Sequence, residues 1–232
     1  MALDKKTFRT RTITAIVFAT VVLLGLFTNV WAFLLLFFTI MVGCLVEYVR
    51  LVFIFRPALL FLAVLYIVMP LLMMIDLGVD GTLFANGERG SAYVTEVFTP
   101  LLPSAIIFSI WINDTMAYVV GSMIGKTPFS KISPKKTWEG TGGGAILCVV
   151  VIAILGSTIP AAKHIAVQHW IAIAALCAIF GTLGDLLESK LKRMANVKDS
   201  GSFMPGHGGF LDRFDSLLLA APAVWVYVKL FM

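Results

Sequence analysis

The chain has 232 residues, 59% of them hydrophobic and 13% charged, against roughly 45–50% and 25% in soluble domains, which excludes a soluble monomer. A mean hydropathy of +0.96, with 18 Phe, 5 Trp and 10 Met, excludes disorder, because such a chain can bury ample apolar surface. What remains is an all-α polytopic membrane protein; the net charge of +5 and pI near 9.2 say nothing of partners until the charges are placed along the chain.

A hydrocarbon core of ~30 Å takes about 20 residues of helix. Seven apolar runs are predicted to span it, at 12–28, 30–49, 58–77, 101–125, 141–159, 167–188 and 214–231. The first follows Lys5, Lys6, Arg9 and Arg11 and so has the look of a signal peptide. Asn29, Val30 and Trp31 make a poor cleavage site, however, and a second apolar run follows at once. The segment is therefore read as a retained helix with a tight turn at Asn29. Lys and Arg concentrate on the cytoplasmic side of short loops. With the N-terminus inside, 15 of the 18 fall on inside segments, and Arg89, Lys163 and Lys229 remain outside. The outside loop at 78–100 carries Asp80, Glu88 and Glu96. A cytoplasmic N-terminus and an outside C-terminus are thus expected. The basic excess is a matter of topology, and nucleic acid is not an expected partner. With no internal repeat or linker, the chain reads as one integral membrane domain. Its N-terminal helices and outside loop occupy 1–100 and its chemistry 101–232. Cys44, Cys148 and Cys177 each lie alone in an apolar stretch and offer no disulfide framework or thiolate metal site.

Charges at membrane depth cost about 2.5–3.5 kcal/mol each, so those that persist face a protein interior or a watery cavity. In the fourth run, WINDTMAYVVGSMIGK places Asn113 and Asp114 mid-span, with Asp114, Tyr118, Gly121 and Gly125 on one helical face. The two glycines read as a packing seam. The following inside loop, GKTPFSKISPKKTWEGTGGG, holds Lys126, Lys131, Lys135, Lys136 and Glu139, then Gly140, Gly142, Gly143 and Gly144 opening a helix. It is not a Walker loop, but adjacent lysines beside a glycine-rich helix start form a second candidate anion site.

The sixth run ends in GDLLESK, where Asp185, Glu188 and Ser189 share a face at i, i+3 and i+4. Two acids so placed repel unless a cation lies between them. A 25-residue inside loop follows, and Asp212 and Asp215 open the last helix. Asp185, Asp199, Asp212 and Asp215 thus gather at one membrane face with Lys192, Arg193, Lys198 and Arg213. Mixed acids and cations suit a magnesium nucleotide: carboxylates hold Mg²⁺, and Lys and Arg pair with the phosphates it leaves uncovered. Gly206, Gly208 and Gly209 around His207 would let backbone N–H groups approach those phosphates, aided by the positive end of the last helix. His164 and His169 fall in an outside loop and are read as solvated.

The run SKLKRMANVKDSGSFMPGHGGFLDRFD, from Ser189 to Asp215, resembles the signature of the phosphatidate cytidylyltransferases, also called CDP-diglyceride synthetases. WINDTMAYVVGSMIGK and SPKKTWEGTGGG are two further family-like segments in the expected order, so the resemblance covers roughly 105–232. It implies the formation of CDP-diacylglycerol and pyrophosphate from phosphatidic acid and CTP with Mg²⁺, in phospholipid biosynthesis. The site implied is catalytic at Asp185, Lys198, Asp199, His207, Asp212 and Asp215. CTP phosphates fall to Ser133, Lys135, Lys136, Lys192, Arg193, Lys198, Gly208, Gly209 and Arg213, and the pocket wall to Asn113, Asp114, Tyr118, Glu139, Glu188 and Ser189. From helical spacing alone Asp212 and Asp215 are equivalent metal ligands. The resemblance favours Asp185 and Asp212 as the direct pair, with Asp215 second.

The expected place is a cell membrane, inner or plasma, with the active site facing the cytoplasm; a homodimer is an open alternative. A CTP-dependent enzyme of archaeal or polyprenol lipids is the nearest rival reading. An anion transporter is the more distant one, because transport sites tend to lie at the midplane of repeated halves, and here the polar cluster sits at one face without a repeat.

Overall fold

The computed structural model describes residues 5–79, 98–130, 132–204 and 208–232. Its helices, in chain order, are α1 (Lys5–Phe27), α2 (Val30–Phe55), α3 (Met69–Gly78), α4 (Leu101–Ile124), α5 (Trp138–Thr158), α6 (Val167–Met194) and α7 (Leu211–Phe231). No strand occurs among the described residues, only isolated bridges. All but α3 are long and apolar enough to cross a membrane. Phe33, Phe37, Leu71, Ile106, Ile173 and Leu211 are wholly buried between helices, while Leu24, Leu35, Phe53, Leu65 and Ile146 point outward. That is the distribution required of a helical bundle solvated by lipid.

Local chemistry sets the helix ends. Asn29 caps α2 by accepting from Ala32 N at 2.9 Å, which makes the tight turn after α1. The helix α6 runs to Met194, beyond the expected 188, and ends in a Schellman motif. Val197 N donates to Lys192 O and Asn196 N to Arg193 O, with Asn196 in the left-handed region at φ 55°. Lys192 and Arg193 occupy that last turn, where cations are favoured by the helix dipole.

The third expected span, 58–77, is broken up. A 3₁₀ turn at Pro57–Phe61 and a π turn at Val64–Val68 precede the ten-residue α3. Pro70 has no N–H, and its ring would clash with the carbonyl four residues back, that of Tyr66. The wider π turn just upstream absorbs that conflict.

Two glycine contacts fix the helix pairs that carry the site. Against α4, α5 packs through Gly140 and Gly144, where a Cβ would meet the backbone of Ala117. Against α6, α7 packs at Gly184, where a Cβ would fall 2.5 Å from Asp215 O and 3.1 Å from Ser216 Cα. At the far end of the bundle, buried Asp76 of α3 accepts from Trp225 Nε1 at 2.8 Å and pairs with Lys229 Nζ at 2.9 Å. His169, expected to be solvated, lies 2.9 Å from the Tyr227 hydroxyl because α6 and α7 meet there; His164 is exposed.

Candidate active site

A cavity of about 590 Å³ opens where α4 and α6 end and α5 and α7 begin. From α4 it is lined by Asn113, Asp114, Tyr118 and Gly121, and from the loop after α4 by Ser133, Lys135, Lys136 and Thr137. On the other side stand Thr182, Asp185 and Lys192 of α6, Asp199, and Asp212, Arg213, Asp215 and Ser216 of α7. Five carboxylates and four cationic side chains therefore line one cavity.

The loop between α4 and α5 is a compact excursion. Ser133-Pro134-Lys135-Lys136 forms a turn in which Lys136 N donates to Ser133 O at 3.1 Å, and Pro134 takes the position that a fixed φ favours. Phe129 N donates to Lys136 O, Trp138 N donates to Thr127 O, and the Phe129 and Trp138 rings meet at 4.4 Å between centroids with their planes inclined by 59°. Glu139 closes the base by accepting from Lys126 N, Thr127 N and Thr127 Oγ1. It holds the loop and does not line the cavity. Three of the glycines that open α5 serve packing: Gly140 is bonded through its N–H to Thr137 Oγ1 and pressed onto Ala117, and Gly143 and Gly144 are pressed onto Val120 and Ala117. The charge that the loop offers the cavity comes from the side chains of Lys135 and Lys136, beside Ser133 and Thr137.

Lys136 forms an ion pair with Asp185. Asp185, Glu188 and Asp215 each place a carboxylate oxygen within 4.8 Å of the others. Gly184 makes this possible, since only a residue without a side chain lets the Asp215 turn close on α6. Glu188 is fully buried; Lys192 pairs with one of its oxygens, and Oε1 has no hydrogen-bond partner. Asp185 also accepts from Ser189 Oγ at 3.3 Å, and Asp215 accepts from Ser216 N at 2.6 Å. Three mutually close acids with one orphaned oxygen form a set of hard donors able to hold a divalent cation.

Asp212 is used differently. Its Oδ1 accepts from Lys192 Nζ at 2.6 Å, and Oδ2 accepts from Ser200 N at 2.9 Å and Gly209 N at 2.8 Å, with Ser200 Oγ also at 2.9 Å. The residue expected to ligate beside Asp185 thus bonds the loop back onto α7, and Asp215 is the α7 acid that stands beside Asp185 and Glu188. Gly208, at φ 82°, supplies the left-handed turn, and the Gly209 N–H expected to face phosphate goes to Asp212. Arg213 lines the cavity; Arg193 lies outside it and donates to Val197 O at 3.1 Å. Lys198 is exposed on the loop next to Asp199. Asn113 Nδ2 reaches Asp114 Oδ1 at 3.4 Å, and its own Oδ1 is buried without a partner. His207 and Gly206 lie outside the described residues, as do Lys131 and most of the loop at 78–100.

Sequence reasoning missed Glu47. This side chain of α2 is 6% exposed and accepts from Phe210 N at 3.0 Å, Leu211 N at 2.9 Å and Ser200 Oγ at 2.7 Å. The signal was available: a lone acid near the end of an otherwise apolar span.

Residues 59–231 match the model of the family described as the Cytidylyltransferase family. The phosphatidate cytidylyltransferase of Bacillus subtilis is 44% identical over 123 residues, 53% of this chain and 45% of that one. That of Synechocystis sp. is 42% identical over 142 residues, 58% and 45% of the two chains. That of Thermotoga maritima is 38% identical over 129 residues, 54% and 48%. The match spans less than half the length of each of these relatives. With three quarters of its length inside the family match, the chain belongs to the cytidylyltransferase family.

Proposed function

We propose that this protein transfers a cytidylyl group from CTP to phosphatidic acid, releasing pyrophosphate and leaving CDP-diacylglycerol in the membrane. The observation that carries the reading is the cavity at one end of the bundle, where Lys135, Lys136, Lys192 and Arg213 interleave with Asp185, Asp212 and Asp215. The relatives' names support it. A phosphate oxygen of phosphatidic acid attacks the α-phosphorus of CTP, and the bond from that phosphorus to the bridging oxygen of pyrophosphate breaks. The nucleophile is already an anion, so no general base is required. The obstacle is repulsion between two polyanions, which Lys135, Lys136 and Arg213 reduce by pairing with phosphate oxygens. A site at the end of the bundle also meets the access problem, since CTP comes from water and the lipid keeps its tails in the bilayer.

The acids fit Mg²⁺: all donors are oxygen, Glu188 Oε1 lacks a partner, and the ammonium of Lys136 already stands against Asp185. Asp185 and Asp215 would hold the ion, with Glu188 behind them, and Asp212 would fix the loop. Bound there, Mg²⁺ supplies charge neutralisation for the phosphates and the leaving pyrophosphate. The charge asymmetry of the loops supports a cytoplasmic setting for this end of the bundle, in a cell whose inner or plasma membrane the protein spans.

The test is incubation of the purified protein with CTP, Mg²⁺ and phosphatidic acid, with polyprenyl phosphate in a parallel arm. Pyrophosphate and a cytidine-labelled diacyl lipid are expected, and both should vanish with chelator. Product only in the polyprenyl arm, or none in either, overturns the proposal.

A further inference from the structure

The family match begins at residue 59, yet a residue of α2 is built into the turn that carries the α7 acids. Glu47 receives the N–H groups of Phe210 and Leu211, which open α7 and have no helical partner. Its negative charge there also complements the helix dipole. The fit is close on all sides. A Cβ at Gly201 or Gly209 would strike the Glu47 carboxylate, and a Cβ at Gly43, one turn earlier on α2, would strike the Phe210 ring.

From Glu47 the connection continues to Asp212. Ser200 Oγ stands 2.7 Å from Glu47 Oε2 and 2.9 Å from Asp212 Oδ2. One hydroxyl carries one hydrogen and can donate to only one of them at a time. Asp212 Oδ2 already has the N–H groups of Ser200 and Gly209, so the hydroxyl is available to Glu47. The carboxylate of α2 thereby holds Ser200 and the first turn of α7 together. One turn along α7, Asp215 meets Asp185 and Glu188.

We propose that Glu47 is a positioning residue for cytidylyl transfer: from α2 it sets the place of the first turn of α7, and through it the alignment of Asp215 with Asp185. The proposal rests on the function proposed above. Glu47→Gln keeps the volume but turns an amide NH₂ toward groups that are themselves donors, leaving one of them unpaired. Glu47→Asp keeps the charge but draws it back by one methylene, and serves if the Gln variant does not fold.

The experiment compares wild type, Glu47→Gln, Glu47→Asp and Asp76→Asn. The last removes a buried charge at the far end of the bundle and acts as the control for stability alone. Below the melting temperature of every variant, kcat should fall about tenfold or more in the Glu47 variants, and the Mg²⁺ concentration for half-maximal rate should rise several-fold. KM for phosphatidic acid should stay within twofold. In Asp76→Asn, melting temperature should fall with kcat and Mg²⁺ dependence unchanged. Amide hydrogen exchange over 208–214 should quicken in the Glu47 variants and not in Asp76→Asn. Unchanged kcat and Mg²⁺ dependence in folded Glu47 variants would overturn the proposal. Should the wild type make no cytidylyl lipid, the function reading fails by itself. Exchange over 208–214 then still decides whether Glu47 holds the turn, and unaltered exchange would overturn that hold.

Discussion

Gly184→Ala is the most economical perturbation of the site, because it adds one methyl group and touches no charge. The new Cβ would stand 2.5 Å from Asp215 O and 3.1 Å from Ser216 Cα, where ordinary contact begins at 3.4 Å. Both obstacles are backbone atoms of α7, so no side chain can swing aside, and α6 and α7 must part by about 1 Å. Overpacking of this kind costs about 1–3 kcal/mol. The functional effect should be larger than the stability effect, since a displacement of ~1 Å at reacting groups costs on the order of 10²-fold in rate. The assay is pyrophosphate release from CTP and phosphatidic acid in micelles, read beside thermal unfolding. A fall in kcat of about 10²-fold is expected in a protein that still unfolds cooperatively. Gly142→Ala provides the contrast: its Cβ would meet nothing within 4 Å, and the more helix-favouring residue should add roughly 0.5–1 kcal/mol of stability. A folded Gly184→Ala protein with wild-type kcat would refute the claim that this contact sets the acid cluster.

Asp212→Asn and Asp215→Asn should part company. The first sets an NH₂ against Lys192 or the loop N–H donors and should lower stability by about 1–3 kcal/mol. The second can keep its oxygen on Ser216 N and relieves repulsion within the trio, so without metal it should melt no lower than wild type while losing transfer at every Mg²⁺ concentration. Equal melting shifts of the same sign would remove the distinction between a loop-fixing acid and a metal-facing one. Lys192→Met leaves fully buried Glu188 without its cation and should destabilise by about 3–5 kcal/mol; adding Glu188→Gln should restore much of this, and no restoration would mean the pair is not the source. Cysteines placed at Lys190 and Lys163, in a background freed of Cys44, Cys148 and Cys177, should be labelled from opposite sides of the membrane, Lys190 from the cytoplasm. Labelling of both from one side would refute the topology.

Several features were legible in the sequence because they depend on near neighbours. Six of the seven apolar runs became helices long enough to span, since composition over about 20 residues is what the bilayer selects. The tight turn at Asn29 and the shared face of Asp185, Glu188 and Ser189 follow from capping chemistry and helical periodicity. Hydropathy did not reveal the breaking of the third run, because a window average does not see the backbone ladder that Pro70 interrupts. Nor could spacing choose between Asp212 and Asp215, which sit three residues apart on one helix. That choice depends on how α7 is rotated about its own axis. Two distant contacts set the rotation: Gly184, which admits the Asp215 backbone, and Glu47, which receives the first N–H groups of α7 from 163 and 164 positions away. A helix's own sequence fixes which residues share a face, but only the partners packed against it decide which way that face points.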